Sequence, residues 1–249
     1  MSLPLIVTDE SGTVLYKARG VTAADAADAA IRSAAMARMR GLVRLADENV
    51  YIKEVSLQGK TYLFFMDFDR LCSCYGTAAA ERAAAGLFNP APYSSAASET
   101  LPLKALALLF AENYADQLRK TGIRLELRGL ASDACVTVPP NAFALCLTLA
   151  VRLCAAEGDH VSLSFIKSLG RVTVFAEADG GKKKRAAEEP VLRVLLYETA
   201  AAAGFSVTET PLGGFAIELA PFDISLAGFK AEHLQFYARS FGVYALFFG

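Results

Sequence analysis

Four things are scarce in this 249-residue chain, and each scarcity closes off a class of function. Long apolar runs come first. The longest, Ala142–Val151, stops at Arg152, well short of the roughly 20 residues that a membrane-spanning helix needs. The opening Met1-Ser2-Leu3-Pro4 carries neither a basic segment nor a signal-like apolar core, so the expectation is a cytoplasmic protein with no membrane span. Charge of one sign is also missing. Lys and Arg number 25 against 26 Asp and Glu, a net charge of −1, and that balance calls for neither nucleic acid nor an anionic membrane as partner. Cysteine is sparse and odd in number, with five residues, which does not suit a disulfide framework. Cys135, Cys146 and Cys154 stand in apolar surroundings and read as buried thiols. Cys72-Ser73-Cys74 is too closely spaced for a zinc knuckle and has no second ligand pair in view. Histidine, the fourth scarcity, occurs only as His160 and His233.

Apolar residues, by contrast, are abundant. They make up 54% of the chain against 20% charged, enough to build a core and to exclude disorder. The length fits one large domain or two small ones. Leu3–Thr8 and Thr13–Lys17 predict an antiparallel hairpin turning at Asp9-Glu10-Ser11-Gly12. Thr22 and Asp25 predict a helix start. Ile31, Ala35, Met39, Leu42 and Ala46, spaced by three and four, predict one buried helical stripe. Tyr51–Leu57 and Thr61–Phe68 predict a second hairpin turning at Gln58-Gly59. Phe64, Phe65 and Phe68 read as core packing rather than ligand contacts.

The order hairpin, helix, hairpin, with Val7, Asp9, Gly12, Val14 and Tyr16 in the opening strand pair, resembles a PAS domain over residues 1–75. Lys17-Ala18-Arg19 departs from that pattern where an Asn is expected. The resemblance implies that a small-molecule ligand could be held there, but it carries over no cofactor-binding residue. Residues 76–100, rich in Ala, Ser and Pro, read as a linker with a short helix over Thr77–Leu87.

From Leu101 the pattern changes. A helix is predicted over Leu101–Thr121 with Gly122 closing it, then strands at Ile123–Leu127 and Cys135–Val138. A helix that is apolar nearly all round follows at Asn141–Ala156 and should be deeply buried. Val161–Lys167 and Arg171–Glu177 form a hairpin around Ser168-Leu169-Gly170. A helix starts at Pro190 with Gly204 as its cap, and Phe205–Glu209 with Gly214–Leu219 close the sheet. The phrases ENYADQLRKTGIRLELRG, PPNAFALCLTLAVRLCAAEGDHVSLSF, RVTVFAEADGG and VLRVLLYETAAAAGFSV resemble, in order, segments of the ATP-binding domain of sensor histidine kinases. The expected fold class is therefore α+β: a PAS-like domain over 1–75, then a two-layer α/β sandwich of histidine-kinase type over 101–222.

The resemblance implies chemistry that this sequence does not carry. The family binds the nucleotide's magnesium through an Asn on the buried helix. That place falls on Leu153, and no Asn, Asp or Glu lies between Ala142 and Ala156; leucine cannot ligate a cation that demands oxygen. The family's adenine-binding Asp falls on Ala178, with Asp179 one place later, and on a strand one residue changes the face. Asp179, Gly180 and Gly181, with the basic Lys182, Lys183, Lys184 and Arg185 where the family has its mobile lid, are the nucleotide or anion candidates. A solvated basic loop beside Glu188 and Glu189 is the other reading of the same residues. The phosphoacceptor module is not matched: both histidines lie within or after the ATPase-like region. His160 is expected in an exposed turn and His233 in a helix over Lys230–Arg239. No Ser, His and acid set can be placed, so no catalytic and no metal-binding residue is assigned.

After Pro221 comes an aromatic extension, with Phe229, Phe236, Tyr237, Phe241, Tyr244, Phe247 and Phe248. Such a segment docks on the body of the protein or forms a seam with a second copy. The sequence thus points to a non-catalytic signalling module working through a protein partner or self-association, with no cofactor and with magnesium–ATP disfavoured. Two alternatives stand beside it: a divergent ATP-binding kinase or ATPase using Asp179, Gly180 and the 182–185 loop, and a structural self-associating protein.

Overall fold

A computed structural model of the chain describes residues 5–18, 25–88, 99–129, 135–156, 158–168, 171–179, 190–219 and 244–248. The fold is α+β and divides into two compact units. The first comprises Met1–Asn89, Glu188–Leu195 and Leu246–Gly249; the second comprises Pro90–Ala187 and Leu196–Ala245. The predicted cap at Thr22, the 89–98 part of the linker, Leu169-Gly170, Gly180–Glu189 and His233 lie outside the described residues.

In the first unit, β1 (Leu5–Asp9) and β2 (Val14–Lys17) form the opening hairpin. Asp9 builds the turn: its Oδ1 accepts from the backbone N–H groups of Ser11 and Thr13, each at 2.9 Å. Gly12 supplies a φ of +82° there, a value that glycine adopts without strain. Burial raises the Asp9 carboxyl pKa, but the hydrogen bonds from Ser11 and Thr13 outweigh it and leave the pKa lowered.

Helix α1 (Asp25–Met36) follows, then β3 (Gly41–Leu45), β4 (Glu48–Leu57) and β5 (Lys60–Asp67). The strands order as β2-β1-β5-β4-β3, every pairing antiparallel. The predicted stripe from Ile31 to Ala46 is corrected here. Ile31 and Ala35 are buried, but the helix ends at Met36, Met39 and Leu42 are 38% and 43% exposed, and residues 41–45 are an edge strand. Positive φ at Arg38 and Gly41 breaks the helix, and Ala46 and Asp47, at φ of +46° and +69°, make the turn into β4. A two-residue turn of that type matches strand twist and outweighs the helical spacing.

The sheet is covered on both faces. On one, Ile6, Ile52, Leu63 and Phe65 pack with Ile31 and Ala34 of α1. On the other, reached by the one-residue alternation of a strand, Phe64 stacks on Phe88 with centroids 4.8 Å apart. Phe88 meets Phe247 edge-on at 5.6 Å, and the Tyr16 hydroxyl donates to the Phe247 carbonyl at 2.5 Å. The end of the aromatic extension is therefore core material of this unit; Leu246, Phe247 and Phe248 are buried. Two short helices pack on β4, α2 (Phe68–Tyr75) and α3 (Thr77–Gly86). The sequence pattern missed α2 because Phe68 extends the strand's apolar run; Asp67 starts the helix by accepting from the Arg70 N–H.

Lys53, directly opposite Phe64 in the ladder, is only 9% exposed. Its Nζ donates to the Ala85 carbonyl at 2.6 Å and also to the Leu87 carbonyl. A cation is favoured at a helix C-terminus, so Lys53 holds the end of α3.

The second unit begins with β6 (Glu99–Pro102), which pairs antiparallel with β8 (Cys135–Val138) as a separate two-stranded sheet. Glu99 and Thr100 thus belong to a strand, not to the predicted linker. Between them run α4 (Leu103–Lys120) and β7 (Arg124–Arg128). Then come α5 (Pro140–Ala155), β9 (His160–Ser168), β10 (Arg171–Ala178), the Leu196–Ala202 part of α6 (Pro190–Ala202), β11 (Ser206–Glu209) and β12 (Phe215–Leu219). The main sheet orders as β11-β12-β10-β9-β7, with β7 parallel to β9 and the rest antiparallel. Helix α5 packs on β9 and β10; every residue from Ala142 to Ala155 is buried, as its continuous apolarity predicts. Its hydroxyl, Thr148 Oγ1, is satisfied by the Ala144 carbonyl at 2.7 Å and the Tyr114 hydroxyl of α4 at 2.8 Å.

Candidate functional site

Two places in the second unit bear on function, on opposite faces of one sheet. On the face covered by α5, the β9–β10 ladder buries Val161, Leu163 and Phe165 beside Val172, Val174 and Ala176. Cys154 of α5 donates its S–H to the Ala176 carbonyl at 3.2 Å. Leu153, which the resemblance noted above sets at the family's metal-binding Asn, is 5% exposed. No side chain from Ala142 to Ala155 offers a carboxylate or amide oxygen, so α5 presents none at or near Leu153, the kind of oxygen that a hard cation demands.

The other face carries charge. The ladder runs without a bulge to Ala178↔Val161, and the Asp179 N–H extends it by donating to the His160 carbonyl at 2.9 Å. Alternation therefore puts Ala178 on the α5 side and Asp179 on the side away from it. There Asp179 Oδ2 accepts from Arg128 Nη2 at 2.8 Å, and the same nitrogen donates to Glu126 Oε2 at 2.7 Å. His160 completes the group: its Nε2 lies 3.3 Å from Glu126 Oε2 and its Nδ1 lies 3.4 Å from Asp179 Oδ2. Glu126, His160 and Asp179 each offer a ligand atom within 4.8 Å of the others.

The elements position these residues simply. Glu126 and Arg128 are two apart on β7 and share a face, and the parallel register sets Glu126 opposite Ser162 and Arg124 opposite His160. Hydrogen bonding from Arg128, with the guanidinium and imidazole charges behind it, holds the Glu126 carboxyl below its usual range. The two carboxylates raise Arg128 further above its own.

His160 is thus the first residue of a strand and part of an ion-pair group, not of the exposed turn the sequence suggested. Sequence reasoning missed Glu126 and Arg128; the available signal was the alternation of charge in Arg124-Leu125-Glu126-Leu127-Arg128. Of the nucleotide candidates, Asp179 is described as above, while Gly180, Gly181, Lys182, Lys183, Lys184 and Arg185 lie outside the described residues. Cys72 and Cys74 are half-buried on α2, and residues two apart on a helix do not face each other. In the first unit, a cleft of about 260 Å³ is lined by Glu10, Ala35, Met36, Arg38 and Arg40. Charged side chains dominate it, unlike the apolar lining usual for organic ligands.

No protein-family profile matches the chain, and no curated relative does. Solved histidine-kinase structures are similar to it. Full-length ShkA in complex with AMPPNP aligns at 15% identity and a TM-score of 0.43, over 62% of this chain and 40% of that one. The ATP-binding domain of PrrB from Mycobacterium tuberculosis aligns at 17% and 0.36, over 51% of this chain and 98% of that one. The blue-light activated histidine kinase EL346 of Erythrobacter litoralis aligns at 13% and 0.38, over 86% and 98%. The described residues include no helix long and apolar enough to cross a membrane.

Proposed function

We propose that this chain is a non-catalytic signalling module: a PAS-like first unit joined to a histidine-kinase-type ATPase fold that does not use ATP. One observation carries the reading. The two oxygen-bearing positions that nucleotide binding needs on the α5 side are Leu153 and Ala178, while the neighbouring carboxylate, Asp179, is turned to the opposite face and engaged by Arg128. Without an oxygen ligand at that position the metal that neutralises a triphosphate loses its holder on the helix, and a leucine there instead fills core volume.

What the retained fold then offers is surface. The module acts through a protein partner or through self-association, and any small-molecule signal enters at the PAS-like unit. The test is calorimetry of the whole chain with ATP, with and without magnesium. No detectable heat up to millimolar nucleotide is the expected result. Micromolar, magnesium-dependent binding that disappears in Asp179→Ala would overturn the proposal in favour of a divergent ATPase using Asp179, Gly180 and the basic loop.

A further inference from the structure

The geometry points to a second kind of site on the face away from α5: we propose that Glu126, His160 and Asp179 form a binding site for a borderline divalent cation of the zinc type, closed in the free protein by Arg128. Two carboxylate oxygens and one imidazole nitrogen are a donor set that suits zinc, and all three ligand atoms lie within 4.8 Å of one another. The imidazole lies between the two carboxylates, with Nε2 3.3 Å from Glu126 Oε2 and Nδ1 3.4 Å from Asp179 Oδ2, so only one of its nitrogens can face an ion held by both. Turning the imidazole about its broad χ2 torsion aims one nitrogen at the ion and leaves the other to donate to a carboxylate, the usual outer support of a metal-bound histidine.

A second observation marks the place independently. Ser162 is 1% exposed and its Oγ has no hydrogen-bond partner. It sits two residues after His160 on the same strand face, directly opposite Glu126 on β7 and Glu177 on β10. A buried hydroxyl without a partner is costly, and this one lies on the same sheet face as the three ligands.

Arg128 is the competitor. Its Nη2 donates to the same two oxygens that the ion would take, Glu126 Oε2 and Asp179 Oδ2. Both pairs are solvent-exposed, at 42–45% for the side chains involved, and exposed pairs of this kind are weak, so a divalent ion can displace the guanidinium. Removing Arg128 therefore tightens cation binding in two ways, by relieving charge repulsion and by freeing the two oxygens it occupies.

Zinc binding to the full chain, measured by equilibrium dialysis in a Cys72→Ser, Cys74→Ser background, tests this. Saturable binding that weakens about tenfold or more in His160→Ala and tightens roughly threefold or more in Arg128→Gln is expected. Zinc should also raise the melting temperature of the parent chain and leave that of His160→Ala unmoved. Absence of binding to 1 mM zinc (about the weakest affinity worth assigning) in both the parent chain and Arg128→Gln would overturn the proposal. So would unchanged affinity in His160→Ala, or a thiolate-to-metal absorption band when cobalt replaces zinc.

Discussion

Lys53 offers the sharpest quantitative test of the first unit. Burial pushes its pKa down to about 8 from its ordinary value of 10.5. The unfolded chain therefore binds more protons at this residue than the folded one between those two values, and stability must rise with pH across that window. For a folded value near 8 and an unfolded value near 10.5, the gain from pH 7 to pH 10 is about 2.5 kcal/mol. Other groups titrate in the same range, so the readout is a difference. In Lys53→Met, the carbonyls of Ala85 and Leu87 lose their donor at every pH, a constant penalty, whereas the titrating contribution disappears. The gap in unfolding free energy between parent and variant should shift by about 2.5 kcal/mol in favour of the parent between pH 7 and pH 10. Urea denaturation at the two pH values measures the gap, and the 13Cε chemical shift of Lys53 measures the pKa directly. A gap that is constant within about 0.5 kcal/mol, or a pKa near 10, would show that the two carbonyls at the end of α3 compensate fully for burial and would refute the reasoning.

Two further expectations follow from packing. Phe247→Ala removes a fully buried ring from the Tyr16–Phe88–Phe247 cluster and should cost about 3–5 kcal/mol of first-unit stability; a loss below about 1 kcal/mol in a urea titration would mean that the C-terminal residues are not core. Gly214→Ala places a Cβ 2.2 Å from the Ala176 carbonyl oxygen, so β12 must shift against β10; a loss of about 1–3 kcal/mol is expected, and a neutral substitution would contradict the register Ala176↔Phe215.

Much of the fold was legible in the sequence because local and global signals agreed. The turn residues Asp9 to Gly12 and Gln58-Gly59, the apolar α5, and the glycines after α4 and α6 all act over a few residues, and the structure places strands and helices beside them accordingly. The errors arose where one local signal outweighed another. The spacing of Met39, Leu42 and Ala46 mimics a helix, but positive φ at Arg38 and Gly41 turns the same residues into an edge strand. Phe68 continues an apolar strand by composition, yet the Asp67 side chain captures the Arg70 N–H and begins a helix. Glu99 and Thr100 read as linker because a strand pairing with residues nearly forty positions later leaves no local trace.

The candidate site divides the same way. The sequence by itself determined what the middle of α5 lacks: no Asn, Asp or Glu lies from Ala142 to Ala155, so a shift of one or two residues about Leu153 finds no carboxylate or amide oxygen, because side-chain chemistry does not depend on the fold. It also posed the question of Asp179, since a strand's period of two makes one residue's offset a change of face. Only the tertiary structure decided which face, through an unbroken ladder to Ala178↔Val161. It alone brought Glu126 and Arg128 of β7 against His160 and Asp179, because the parallel pairing of β7 with β9 joins residues more than thirty positions apart. No periodicity records that juxtaposition; hydrogen bonding between distant strands creates it.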